Sequence, residues 1–209
     1  EINGARVVLT RSRRRRHTVS MAVRAPGHII VSAPGHVAQS TIAAFLQKKQ
    51  GWIRRQIYRC EEAMAFRSKL GRTNSWPFLG KVKQQPDAPL SVEGWYRREA
   101  AIYLEERTRA FAQRMFLPRP RLKITCARHR WGSCSAKNVL SFPWRLMMLP
   151  PDVIDYIVVH ELAHIREKNH GSRFWQSVSQ TLPSHAIHRR WLKDNQHLFS
   201  NLTYEQAQA

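Results

Sequence analysis

His160, Glu161 and His164 form an H-E-x-x-H pattern within the run Ile154-Asp155-Tyr156-Ile157-Val158-Val159-His160-Glu161-Leu162-Ala163-His164. If that run is helical, residues four apart stack on one face, so both imidazoles can present a nitrogen to a single metal ion. Glu161 lies about a quarter-turn round the helix, within reach of a water at that ion. Zinc takes neutral imidazole well and keeps an open position in catalytic sites. An isolated H-E-x-x-H match also arises by chance in proteins that hold no metal, so the flanking residues decide its meaning. Pro150 and Pro151 suit a helix start, where the missing N–H costs nothing, and Asp152 favours the positive end of the helix dipole. Ile154, Val158, Leu162 and Ile165 fall on a separate apolar stripe, which predicts an amphipathic helix packed on a core.

A third ligand is at hand in His170, six residues after His164. On an unbroken helix its side chain would point away from the metal face, so the helix has to end first. Lys168-Asn169-His170-Gly171-Ser172 supplies residues that accept left-handed backbone, and Ser172 can cap a further helix through Phe174, Trp175 and Val178. Glu167 is the alternative, reaching the histidine face only if the helix persists, as a ligand or as a partner of one. The spacing favours His170.

The elements that must position these residues can be read from pattern. Residues 6–10, 18–24 and 28–32 read as strands, the simplest arrangement being a three-stranded meander with Arg11 to Arg16 in a connection or on an exposed face. Ser40 or Gln39 opens a helical segment with Ile42, Phe45, Leu46, Trp52, Ile53 and Ile57 near the 3.6 period. Gly71 to Pro77 reads as a loop and Pro77 to Lys83 as a strand, and the two prolines between Gln84 and Pro89 mark a boundary. That divides the chain into an N-terminal strand-and-helix part, residues 1–89, and a part carrying the H-E-x-x-H helix, residues 90–209. In the second part, Glu93 to Phe116 reads as a helix stopped by Pro118 and Pro120, and Arg121 to Cys126 and Val139 to Phe142 read as strands. The segment from Ser135 to Leu146 is the candidate sheet edge for pairing with an extended peptide. His185, His188 and Tyr156 are candidates for lining the cleft, and Cys134 reads as a buried thiol rather than a ligand.

The whole chain sets further bounds. Its 209 residues, 43% hydrophobic with 9 Gly, fit a folded globule rather than a disordered chain. No apolar run approaches the ~18 residues of a spanning helix, and no signal segment precedes the first basic cluster, so no membrane partner is expected. Cys60, Cys126 and Cys134 form no metal pattern and leave an odd thiol, which fits a reduced, cytoplasmic setting. The net charge is +21, and residues 1–60 hold 12 Lys and Arg against the single acid Glu1. That asymmetry predicts weak contact of the N-terminal region with polyanions such as nucleic acid, although no nucleic-acid-binding motif accompanies it.

Arg130-Trp131-Gly132-Ser133-Cys134-Ser135, Trp144-Arg145-Leu146, His160-Glu161-Leu162-Ala163-His164, Asn169-His170-Gly171 and Phe174-Trp175 follow one another in that order. This series resembles the YgjP-like metallopeptidase family, related to the SprT-like and WLM zinc proteases. The likeness is specific from about Arg130 to Leu192, and weaker over the N-terminal strands and Lys49-Gln50-Gly51-Trp52-Ile53. It implies an α+β fold with a zincin-like core behind an N-terminal β-rich part, and zinc ligands at His160, His164 and His170. Among zincins the metzincin subclass is disfavoured, because Glu167 stands where its Gly would be and no Met follows Met148. The expected activity is peptide-bond hydrolysis with one Zn²⁺ per chain, Glu161 as general base and a peptide or protein substrate. Two alternatives stay open: a nucleoside triphosphate phosphohydrolase using the same site, and a basic nucleic-acid-binding protein with a structural metal.

Overall fold

A computed structural model describes residues 4–25, 27–84, 91–199 and 202. The chain forms two compact units, Glu1–Phe66 and Arg67–Ala209, which divide within one long helix. The expected boundary segment Gln84 to Pro89 lies, apart from Gln84, outside the described residues.

In the first unit, β1 (Arg6–Ser12), β2 (Ser20–Ala25) and β3 (His28–Pro34) form a sheet of order β1-β3-β2. The expected meander does not form: β3 is central, antiparallel to β2 and parallel to β1. Two features explain this. Ile29, Val31 and Ala33 alternate along β3 and are fully buried, so this strand holds the core while both neighbours pair to it. At the far end the Arg11 guanidinium donates to the carbonyls of Pro34 and Gly35, at 3.1 and 3.2 Å, and to that of Val37, fastening the end of β1 to the end of β3. The polar connection through Arg13–Arg16 is exposed and long enough to step across. Helix α1 (Gln39–Lys48) adds Ile42 and Leu46 to this core, and α2 (Gln50–Arg72) adds Ile53.

The second unit builds the H-E-x-x-H helix into its centre. Strands β4 (Ser75–Phe78) and β5 (Lys81–Gln84) make a hairpin, where sequence pattern predicts a loop and one strand. Its turn takes positive φ at Leu79 and Gly80, 49° and 74°, the geometry of two-residue hairpin turns. Gly80 is doubly required there, because a Cβ would meet Pro150 Cα at 3.0 Å. Helix α3 (Val92–Arg114) is capped by Ser91, whose hydroxyl accepts from Gly94 N, and buries Tyr96, Ala100, Leu104, Thr108 and Phe111 along one stripe.

A second sheet follows, with β6 (Arg121–Thr125), β7 (Ser133–Cys134) and β8 (Val139–Pro143) in the order β6-β8-β7. Strand β8 is therefore paired on both sides, parallel to β6 and antiparallel to β7. This overturns Ser135–Leu146 as a peptide-binding edge: its strand, Val139–Pro143, has a partner strand on each side, and its side chains alternate into the core at Leu140 and Phe142. The chain then buries the whole 3₁₀ turn Trp144–Met148 before α4 (Pro151–Ala163). Helix α4 is less amphipathic than its pattern suggests, since Val153, Ile154, Tyr156, Ile157, Val158, Val159, Leu162 and Ala163 are all buried. A helix apolar on nearly every side is a central one. Its polar residue Asp155 is held by Arg107 of α3 through two parallel bonds of 2.7 and 2.5 Å. Helices α5 (Ser172–Thr181) and α6 (His185–Phe199) complete the unit. Among the described residues no helix is long and apolar enough to cross a membrane.

Candidate metal centre

His160 sits in the last turn of α4, and His164 follows directly after its last residue with φ −65° and ψ −11°. The helix then stops, as the His170 geometry requires, and the chain turns back before α5 begins. Gly171 rather than Ser172 occupies the N-cap, with no side-chain cap. This turn brings His170 Nε2 to 3.0 Å from His160 Nε2. One nitrogen from each of His160, His164 and His170 lies within 4.8 Å of the other two, the group of metal-capable donors found among the described residues. Zinc–imidazole bonds of ~2.0–2.1 Å in tetrahedral geometry set ligand nitrogens roughly 3.3 Å apart, so the arrangement is of the right size.

The chemistry of these rings also fits a metal. Burial pushes the His160 pKa down to about 3, with the neighbouring His164, His170 and Arg189 adding to the effect, so the imidazole stays neutral and keeps a lone pair. His160 Nδ1 is buried without a hydrogen-bond partner, and its Nε2 faces only another imidazole. Burying a ring so poorly matched is costly unless a cation takes one nitrogen. His164 is held below its usual pKa chiefly by burial, against the opposing pull of the Glu167 carbonyl. Its Nδ1 is 3.0 Å from that carbonyl oxygen, which can only accept, so Nδ1 carries the proton and Nε2 is left with its lone pair. Glu167 thus supports the site through its backbone, and its carboxylate is not among the clustered donors.

Glu161 is 7% exposed, and burial raises its pKa to about 7 while the charge of Arg130 opposes the shift. Its place is set by Gly132, in the loop entering β7. A Cβ on Gly132 would lie 2.6 Å from Glu161 Cγ, 2.7 Å from Oε1 and 2.9 Å from Cδ. Only a residue without a side chain lets the backbone lie against the carboxylate in this way. Sequence reading assigns Gly132 to a tight turn and does not reach this contact, which joins residues 29 apart.

Aromatic rings form the rest of the wall. Phe174 is fully buried with its ring 4.9, 4.6 and 4.7 Å from those of His160, His164 and His170. Trp175 lies 6.0 Å from both His160 and His170, and stacks at 6.0 Å on His185. His185 therefore borders the site, whereas His188 bonds Ser184 and Tyr156 is buried edge-on to His160 at 5.9 Å. Cys134 stays outside the histidine cluster. Its thiol pKa is raised by burial, with Lys168 opposing from 3.9 Å. Lys168 also donates to Asn138 Oδ1 at 2.8 Å and to the Ser135 carbonyl at 3.4 Å, tying the turn after α4 to the turn between β7 and β8. Strand β7 is an edge strand of this sheet and lies in contact with α4.

A family model described as YgjP-like, metallopeptidase domain, matches residues 17–84 and 69–195. Among solved structures the chain is similar to the crystal structure of the metallopeptidase zymogen of Pyrococcus abyssi abylysin. The identity is 23% and the TM-score 0.40, over 44% of this chain and 95% of that one. No curated protein matches.

Proposed function

The chain belongs to the YgjP-like metallopeptidase family, and from that premise we propose that it hydrolyses peptide bonds with one zinc ion held by His160, His164 and His170. When bound, zinc supplies a Lewis acid that polarises the peptide carbonyl and acidifies water. Glu161 takes a proton from the attacking water and delivers it to the leaving amine nitrogen. Gly132 keeps the Glu161 carboxylate against the turn into β7, and the Glu167 carbonyl holds His164 in the tautomer with Nε2 open. The substrate lies extended along the edge of β7 away from β8, where main-chain hydrogen bonds give sequence-tolerant binding. The observation that carries this reading is the joining of three imidazoles with a buried carboxylate one residue from the first of them.

The test is turnover of an unstructured protein and, in parallel, of nucleoside triphosphates by zinc-loaded wild type and Glu161→Gln. Expected is cleavage of the protein by wild type alone, with equal zinc in both. Triphosphate hydrolysis without peptide cleavage, or Glu161→Gln activity near wild type, would overturn the proposal.

A further inference from the structure

Arg189 projects from α6 one turn after His185, and its guanidinium lies 4.5 Å above the ring of Trp175. That same ring is 6.0 Å from the imidazoles of His160 and His170, and His185 stacks on it. The cation is thus two ring contacts from the histidine cluster, carried on a half-buried indole that fixes its direction. Yet no described carboxylate pairs with Arg189. The neighbouring Arg190 behaves differently, facing Asp194 at 3.8 Å on the same helix. An exposed guanidinium seated on an indole and free of a described carboxylate partner presents a planar fork of donors suited to a carboxylate.

We propose that Arg189, seated on Trp175, is a specificity residue that binds a substrate carboxylate close to the scissile bond. This deepens the peptidase reading and rests on it. An extended chain advances ~3.3–3.6 Å per residue, so a cation at this remove from the histidines reaches a group within about three residues of the bond. The carboxylate can be an Asp or Glu side chain or the substrate's own C-terminus. General attraction of acidic peptides to a chain of net charge +21 is a separate effect, and it would not distinguish Arg189 from Arg190.

The experiment measures binding of fluorescent peptides to full-length, zinc-loaded Glu161→Gln, so that affinity is read without turnover. Peptide pairs differ by Asp against Asn at each of three positions either side of one bond, or by a C-terminal carboxylate against an amide. Expected is a preference of about tenfold or more for the acid at one position, the size of a charge-assisted contact. That preference disappears with Arg189→Met, persists with Arg190→Met, and reverses in favour of the neutral member of the pair with Arg189→Glu. An effect in the internal pairs marks a side-chain carboxylate, and one confined to the terminal pair marks a C-terminal one. Equal binding of acid and amide, or equal losses from Arg189→Met and Arg190→Met, would overturn the assignment while peptide cleavage by wild type leaves the peptidase reading standing. Absence of both peptide binding and cleavage would remove the two together.

Discussion

Gly132→Ala isolates the placement of Glu161 from everything else at the site. The added Cβ would lie 2.6 Å from Glu161 Cγ, whereas carbon atoms settle at about 3.5–4.0 Å. The carboxylate arm therefore has to retreat by roughly 1 Å. Because the obstructing atoms belong to a side chain that can rotate, the fold can absorb the change more easily than the chemistry can. Overpacking costs about 1–3 kcal/mol, partly offset by the ~0.4–1 kcal/mol that Ala gains over Gly through the unfolded chain. For a unit of this size that is a fall in Tm of a few degrees. A displacement of about 1 Å at a reacting group costs on the order of 10²-fold in rate, within the 10²–10⁴-fold that a general base contributes.

The assay is kcat and KM on an unfolded protein substrate, with zinc content and a thermal melt for each variant. We expect kcat to fall about 10²-fold while zinc stays stoichiometric and KM changes little. Placed on Glu161→Gln, the same substitution should add almost nothing, since the group it displaces is already disabled. A Gly132→Ala enzyme within threefold of wild type would refute the positioning argument. So would a loss that tracks zinc, or one that adds in full to Glu161→Gln.

Three further outcomes are expected. His160→Ala, His164→Ala and His170→Ala should each lose stoichiometric zinc in metal analysis, because a site of three protein ligands does not survive on two; full retention by His170→Ala would exclude that ligand. Neutralising Arg13, Arg14, Arg15 and Arg16 together should weaken binding to a nucleic-acid probe and flatten its salt dependence, by about 0.7–0.9 in slope for each phosphate no longer neutralised. These exposed side chains should leave Tm unchanged, and an unaltered salt slope would discard a polyanion role for them. Asp155→Asn should lower stability by about 1–3 kcal/mol in denaturant melts, since it breaks the two-bond tie from Arg107, a pair whose side chains are 31% (Arg107) and 13% (Asp155) exposed. Zinc content should not change, and a melt equal to wild type would show the pair to be neutral.

How much of the fold the sequence discloses depends on whether the deciding contact is local. Strands β1, β2 and β3 are legible as period-two segments, but their order is not. Putting β3 in the middle rests on the burial of Ile29, Val31 and Ala33 and on Arg11 reaching carbonyls 23 to 26 residues away. The hairpin of β4 and β5 is hidden because Leu79 takes a left-handed conformation that apolar residues rarely adopt, leaving Gly80 as its only sequence sign. In the second sheet, Val139 to Phe142 reads as a strand but carries no mark of having two neighbours. Its partner β7 is two residues long, too short for any periodicity to show.

The candidate site divides along the same line. His160, His164 and His170 lie within eleven consecutive residues, so their convergence needs only one helix and one turn, both of which leave local signs in Pro151 and in Asn169-His170-Gly171. Positioning the base needs a second segment. Glu161 points where Gly132 permits, and β7, which follows Gly132, runs into a turn that Lys168 ties through Ser135 and Asn138 to the turn after α4. Exchanging Lys168 for Met should therefore disturb Glu161 without touching a ligand, lowering kcat while zinc content holds. The same physics explains why an H-E-x-x-H match alone says so little: two histidines and a glutamate specify a donor set. A base becomes directed only when a distant backbone comes close enough to exclude even a methyl group.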